Sequence, residues 1–216
     1  MEDTLGLLGR KIAGRLAERE PQLDRLDYKR DAAVLLPLVE TPEGPGLLFE
    51  VRSAKLKWQP GEICFPGGRF EVQDGDFAAT ALREAREELG LPEAAVELLP
   101  GRLDILVTHL GLVIHPYAGL IRNLEAARPN PDEVQELFTV PLKFFKDYEP
   151  RQVTMQLANR APADFPFDLV PTMIRDWRQR IGYRVFFYVY EGHVIWGMTA
   201  RILHSFWLRF GKDLVS

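Results

Sequence analysis

The chain has 216 residues and a mass of 24.7 kDa, and its 46% hydrophobic against 27% charged residues is the composition of a folding chain rather than a disordered one. Its 27 basic and 31 acidic side chains leave a net charge of −4, which argues against a general nucleic-acid binder but leaves room for a local basic cluster that holds a small anion. The one cysteine, Cys64, excludes an internal disulfide and a four-cysteine metal site, and no apolar run reaches the ~18 residues of a membrane span.

In chain order, Leu5, Leu8, Ile12 and Leu16 recur at three- and four-residue spacing and predict an N-terminal amphipathic helix over about 3–19. Ala32 to Val39 reads as a buried strand. The turn chemistry of Thr41 to Gly46 then leads into an extended Leu47–Arg52, so the two form a hairpin. Pro66-Gly67-Gly68 interrupts the strand that holds Ile63 and Phe65. Phe77 to Leu89 is a helix with Ala78, Ala81, Leu82, Ala85 and Leu89 on one side. Asp74 or Asp76 caps it, and Gly90 and Pro92 stop it. Short strands follow at Val96–Leu99, Asp104–Thr108 and Leu112–Ile121. A loop comes at Pro129–Pro131 and a short helix at Pro141–Lys146. The prolines at 162, 166 and 171 mark an irregular insertion within about 144–182. A strand at Arg184–Tyr190 and a helix at Trp196–Phe210 close the chain. Strands and helices mix without strict alternation, which favours an α+β layered domain comprising the whole of 1–216.

The chemistry concentrates on the middle helix. Glu84, Glu87 and Glu88 stand at i, i+3 and i+4 and crowd one face, where like charges repel by a few tenths of a kcal/mol per pair. They also sit toward the end of the helix whose dipole disfavours anions. A divalent cation with hard oxygen ligands, Mg²⁺ or Mn²⁺, removes the conflict. A solvated acidic face with Arg83 and Arg86 as partners is the alternative. Upstream, Arg52, Lys55, Lys57 and Arg69 cluster as phosphate-binding candidates, against the alternative of an ordinary basic hairpin surface. His109 and His115 lack metal-ligand spacing. His193 and His204 are read as serving the fold or the surface. Cys64 is read as a buried thiol, and Trp196, Phe206, Trp207 and Phe210 as a stripe facing the core.

Gly67-Gly68 through Leu91 resembles the Nudix box, G-x5-E-x7-R-E-U-x-E-E-x-G-U, in which U is aliphatic. Arg83, Glu84, Glu87, Glu88, Gly90 and Leu91 match, and Ala85 stands at a U position. The stretch from Gly68 to Arg83 is one residue longer than the pattern. The pattern's lone glutamate falls on Gly75, with Asp74 and Asp76 on either side as substitutes. Upstream, Leu48-Phe49-Glu50-Val51-Arg52-Ser53, Lys57, Gly61 and Phe65-Pro66-Gly67-Gly68 keep the spacing of L-L-T-x-R-S-x3-R-x3-G-x3-F-P-G-G, a motif of the coenzyme A pyrophosphatase branch. The departures are Phe49, Glu50 for threonine and Lys57 for arginine. Thr108–Gly111, Glu133-Val134, Val140–Leu142 and Ile195–Ala200 are similar to the same branch.

The resemblance implies an α/β/α sandwich with a mixed central sheet and a catalytic loop–helix–loop. It implies hydrolysis of a pyrophosphate bond, either of coenzyme A and its thioesters or of another nucleoside diphosphate derivative such as ADP-ribose. A Nudix-fold module that binds a nucleotide without cleaving it is the third reading. The same resemblance assigns Mg²⁺ or Mn²⁺ to Glu84, Glu87, Glu88 and the Gly67 carbonyl, an orienting role to Arg83, and the general base to a later loop, with Glu133 and Glu136 as candidates. It also suggests a homodimer. The opening Met1-Glu2-Asp3-Thr4 has no basic or apolar leader, so the expected location is the cytoplasm, with neither nucleic acid nor membrane as partner.

Overall fold

The computed structural model describes residues 30–214, together with residues 12, 13 and 15. The expected N-terminal helix lies outside the described residues, apart from Ile12, Ala13 and Arg15, of which each is helical. The first expected hairpin forms as drawn. Strand β1 (Arg30–Thr41) turns back into β2 (Gly44–Arg52), with Leu38 opposite Leu47 and Thr41 opposite Gly44. On its other edge β1 runs parallel to β7 (Leu112–Ile121), from Arg30 opposite Leu112 to Val39 opposite Ile121. That parallel pair lies in an otherwise antiparallel sheet completed by β3 (Ile63–Cys64), β4 (Gly67–Arg69), β5 (Val96–Leu98), β6 (Leu106–Val107) and β8 (Val134–Pro141). A parallel neighbour needs a crossover, and the helix α1 (Phe77–Leu89) lies on the path that supplies it.

β1 is central, so both of its faces are covered. Ala33, Leu35 and Val39 pack with Leu48, Tyr117 and the Ala81, Ala85 and Leu89 stripe of α1. On the opposite face Leu36 joins Leu47, Phe49 and Val140. These meet Phe145 of α2 (Leu142–Lys146), Ala200, Leu203 and Phe206 of α3 (Gly197–Leu214), and Tyr188 and Ile195 of a second sheet. The layers are therefore helix, mixed sheet, and helices with a small sheet, in agreement with the α/β/α expectation.

The second sheet corrects the expected insertion. Arg151–Asn159 is a nine-residue strand, β9, antiparallel to β10 (Arg178–Tyr190), which pairs in turn with β11 (His193–Trp196). The irregular stretches are 147–150 and 160–177. β9 is exposed along nearly its whole length, and the alternation of Val153, Met155 and Leu157 with polar residues is a strand signal that the proline-based reading of this region passed over. Asp104–Thr108 shortens to Leu106–Val107. The aromatic stripe also needs correction. Phe206 is buried, but Trp196 ends β11 rather than opening α3 and is 42% exposed, as Phe210 is at 40%.

Gly90 ends α1 in the left-handed conformation at φ 60°, and a Cβ there would fall 2.0 Å from the Arg128 carbonyl oxygen. The left-handed penalty alone is about 1–2 kcal/mol. Gly90→Ala should therefore lower the melting temperature by at least a few degrees, since each kcal/mol shifts Tm by roughly 2–4 °C at this size. An unchanged melting curve would contradict the packing of α1 on the 128–130 segment.

Candidate active site

The site is assembled where the glycine loop, α1 and the end of β2 meet. Asp76 caps α1, its Oδ1 accepting from the Ala79 N–H at 2.8 Å. The small side chains of Ala81 and Ala85 let the helix lie close to the sheet. Gly67 pairs with Val34, and a Cβ on it would come within 2.4 Å of the Ala33 carbonyl oxygen, so this stretch fits only as glycine. A Cβ on Gly68 would lie 2.4 Å from the Glu84 carboxylate. The second glycine thus leaves the space that Glu84 occupies. The Gly67 N–H donates to Glu88 Oε2 at 2.8 Å, which ties the glycine loop to the acidic face.

Arg83 organises the helix glutamates. Its Nε donates to Asp74 Oδ1 at 2.7 Å and its Nη2 to Asp74 Oδ2 at 3.1 Å, a two-point grip on one carboxylate. The same guanidinium pairs with Glu84 Oε1 at 3.0 Å and Glu87 Oε2 at 3.1 Å. The Arg83 hydrogen bond holds the Asp74 carboxyl well below the usual range, aided by donation from the Thr80 hydroxyl. The two aspartates flanking the displaced pattern glutamate therefore divide the work. Asp76 caps the helix and Asp74 grips the arginine.

Beneath this face lies a residue that the sequence marked only as a departure from a motif. Along β2 alternate side chains share a face, so Glu50 points to the same side as Leu48, toward α1. It is 1% exposed. Its Oε1 accepts from the Cys64 thiol at 3.1 Å, and its Oε2 has no hydrogen-bond partner. Burial, together with the Glu133 and Glu84 charges, raises the Glu50 carboxyl. Burial and the Glu50 charge raise Glu88, and burial raises Glu84. Burial also pushes the Cys64 thiol up, so it stays a protonated donor. Only an alternation argument applied to β2 would have found Glu50 from the sequence.

The two base candidates separate. Glu133 stands just before β8, where its charge acts on Glu50 and Glu84, and the Ser53 N–H donates to its carbonyl at 2.7 Å. Its loop is tied to α1 by Arg128 N–H to Leu89 O at 2.9 Å and Asn130 N–H to Glu88 O at 3.0 Å. Glu136 lies opposite Val51 and shares a face with Phe138, on the α3 side of the sheet. There it meets His193 Nε2 at 3.1 Å, in an open cleft of about 560 Å³ lined also by Phe187 and Trp196. The sheet therefore stands between Glu136 and the glutamate cluster.

The basic candidates divide similarly. Arg52 is close enough to Glu50 and Glu88 to favour their charged forms; its Nη2 reaches the Trp58 carbonyl oxygen at 3.4 Å. Lys57 is exposed on the same loop. Lys55 is instead paired with Asp132 at 2.7 Å, and Arg69 is exposed, with its carbonyl accepting from Arg83 Nη2 at 3.3 Å. The histidines serve the fold. His115 bonds Asp31 Oδ1 at 3.0 Å and stacks on Phe77, and His204 bonds the Tyr188 hydroxyl at 2.9 Å.

Among the described residues no three His, Cys, Asp or Glu side chains already converge on one ion. Glu84 and Glu87 lie on Arg83, and Glu88 lies on the Gly67 N–H. The chemistry of the donor set nevertheless fits a hard divalent cation. It is all carboxylate, burial raises Glu84 and Glu88, and the neighbouring Glu50 adds an oxygen with no partner.

The family model for the NUDIX domain matches residues 29–156, which include both the glycine loop and α1. The chain belongs to the Nudix family. It is 36% identical over 179 residues to an uncharacterized Nudix hydrolase, NudL, of Photorhabdus laumondii subsp. laumondii, covering 83% of this chain and 84% of that protein. It is 34% identical to the NudL of Salmonella paratyphi B, covering 85% and 84%. In fold it is similar to a MutT/nudix family protein of Enterococcus faecalis, with a TM-score of 0.51 and 13% identity over 95% of this chain and 70% of that one. The protein is thus a Nudix hydrolase, an enzyme acting on the acid anhydride bonds of nucleoside diphosphate derivatives, and Nudix enzymes generally use divalent metals such as Mg²⁺ or Mn²⁺. No helix among the described residues is long and apolar enough to cross a membrane.

The raised carboxyls make a prediction for metal-free protein. A group whose folded pKa is raised binds more protons in the native state, so unfolding free energy falls as pH climbs above the ordinary glutamate value of 4.5. In EDTA, Tm should therefore decline between about pH 5 and pH 9. Saturating Mg²⁺ should flatten the decline, because the cation replaces the protons. Melting curves that run parallel with and without Mg²⁺ would show that these carboxylates do not bind it.

Proposed function

We propose that the enzyme hydrolyses the pyrophosphate bond of coenzyme A or its thioesters, releasing 3′,5′-ADP and 4′-phosphopantetheine or its acyl form. The observation that carries this reading is the upstream motif from Leu48 to Gly68, whose arginine, Arg52, lies beside the carboxylate cluster. Glu84, Glu87 and Glu88 would hold Mg²⁺ or Mn²⁺, with Arg83 positioning Glu84 and Glu87. The cation, when bound, neutralises the phosphate oxygens and acidifies a water.

The chain's own groups supply the rest. A carboxylate oxygen of Glu133, at the mouth of the cluster, takes the proton from the attacking water. Arg52 binds the pyrophosphate through charge-assisted hydrogen bonds. Lys57, exposed further out on the loop, reaches the 3′-phosphate that distinguishes coenzyme A from ADP-ribose. Glu50, which replaces the motif's threonine, and Lys57, which replaces its arginine, favour a second reading: hydrolysis of another nucleoside diphosphate derivative on the same metal face.

Purified protein with Mg²⁺ should convert coenzyme A into the two named products, separable by chromatography. Cleavage of ADP-ribose with coenzyme A left intact would select the second reading. Glu88→Gln should lower turnover by orders of magnitude while the fold is kept or slightly stabilised, because a buried like-charge conflict is relieved. Near-normal turnover of that variant in saturating Mg²⁺ would rule out the metal face. For the substrate, Lys57→Met should weaken coenzyme A by about 10- to 150-fold and leave dephospho-coenzyme A nearly unchanged, as expected for one charged hydrogen bond. Equal losses on both would move Lys57 to the pyrophosphate.

A further inference from the structure

Glu50 has features that neither packing nor the family pattern explains. A buried side chain in mid-strand is normally apolar, as Leu48 is two residues earlier on the same face. A buried carboxylate is tolerated when its oxygens are paired. Here Oε1 has the Cys64 thiol, a weak donor, at 3.1 Å, and Oε2 has none. The nearby cation does not supply the missing partner. Arg52 Nε is itself buried without a hydrogen bond, and its Nη2 is turned to the Trp58 carbonyl oxygen. What Glu50 does face is the set of Glu84, Glu88 and Glu133, whose charges act on it or it on them. An unpartnered, fully buried oxygen among carboxylates is the arrangement that a hard cation resolves.

We propose that Glu50 is an additional ligand of the divalent cation in this protein, with its open Oε2 completing the carboxylate set of Glu84 and Glu88, and that Cys64 is a positioning residue that fixes its other oxygen. The proposal rests on the reading of the α1 face as a cation site. It adds a strand ligand at a position where the motif has threonine, a weaker and uncharged donor. Glu50 and its partner Cys64 lie opposite one another on β2 and β3, so the two side chains are placed by the strand register rather than by a flexible loop. The site's charge is one unit more negative than it would be with threonine, and its affinity for the ion is correspondingly higher.

The test is Mn²⁺ binding by the full chain, followed by electron paramagnetic resonance and by the Mn²⁺-induced rise in Tm, without substrate. Glu50→Gln keeps shape and removes charge. It should weaken Mn²⁺ by roughly tenfold or more and raise Tm of the metal-free protein. Glu50→Thr should weaken Mn²⁺ similarly. Cys64→Ala should weaken it less, with partial rescue in Cys64→Ser. If Glu50→Gln binds Mn²⁺ like the parent while Glu88→Gln does not, Glu50 is not a ligand and the metal face survives. If both variants bind like the parent, the metal face fails and takes this proposal with it. Should the Glu50 variants not fold, the unaltered protein decides. Its one cysteine gives one S–H stretching band. Mg²⁺ drawn to Glu50 should shift that band, because the acceptor oxygen loses electron density. A band unmoved by saturating Mg²⁺ would overturn the proposal.

Discussion

Mutual repulsion among buried carboxylates is the constraint around which the catalytic half of this molecule is arranged. Glu84 and Glu88 on α1, Glu50 on β2 and Glu133 before β8 all carry charge that acts within the same small volume. Left alone, such a set either protonates or pushes its elements apart. The chain answers with one arginine. Arg83 is gripped at two points by Asp74 and in turn holds Glu84 and Glu87, so one half-buried cation spreads over three anions. The glycine loop supplies the remaining relief through the Gly67 N–H on Glu88 and the vacancy at Gly68 that admits Glu84.

Much of this was legible before the fold was known. The spacing of Glu84, Glu87 and Glu88 placed them on one helix, and Gly90 marked its end, because helical periodicity and left-handed glycines are local properties. The β1–β2 hairpin was equally local. What escaped depended on pairing across long separations. Val153, Met155 and Leu157 alternate with polar residues along Arg151–Asn159, but the strand is exposed on both faces and buries no core of its own, so its place in the fold is defined by its pairing with β10. Glu50 looked like a motif mismatch. Its meaning lies in facing α1, and that follows from which residues of β2 the sheet turns inward.

The separation of Glu133 from Glu136 has the same origin. In sequence they are three residues apart on one segment and equally eligible. The sheet places Glu136 opposite Val51, on the face shared with Phe138 and α3, while Glu133 stays before the strand with the carboxylates. Strand parity, not proximity along the chain, sorts the acids that join the carboxylate cluster from those that do not. The His193–Glu136 pair consequently belongs to a cleft on the other side of the molecule.

The backbone bonds between α1 and the loop that precedes Glu133 bear on how such proteins can change. Arg128 and Asn130 donate to the carbonyls of Leu89 and Glu88, so the loop is referenced to the very turn of helix that carries Glu88. Three strands, two 3₁₀ turns and several loops lie between these points in sequence, yet none of them sets the distance. Length changes confined to the loops of this segment can therefore accumulate while the acid and the helix stay in register, whereas β7, paired with β1 along ten residues, is fixed.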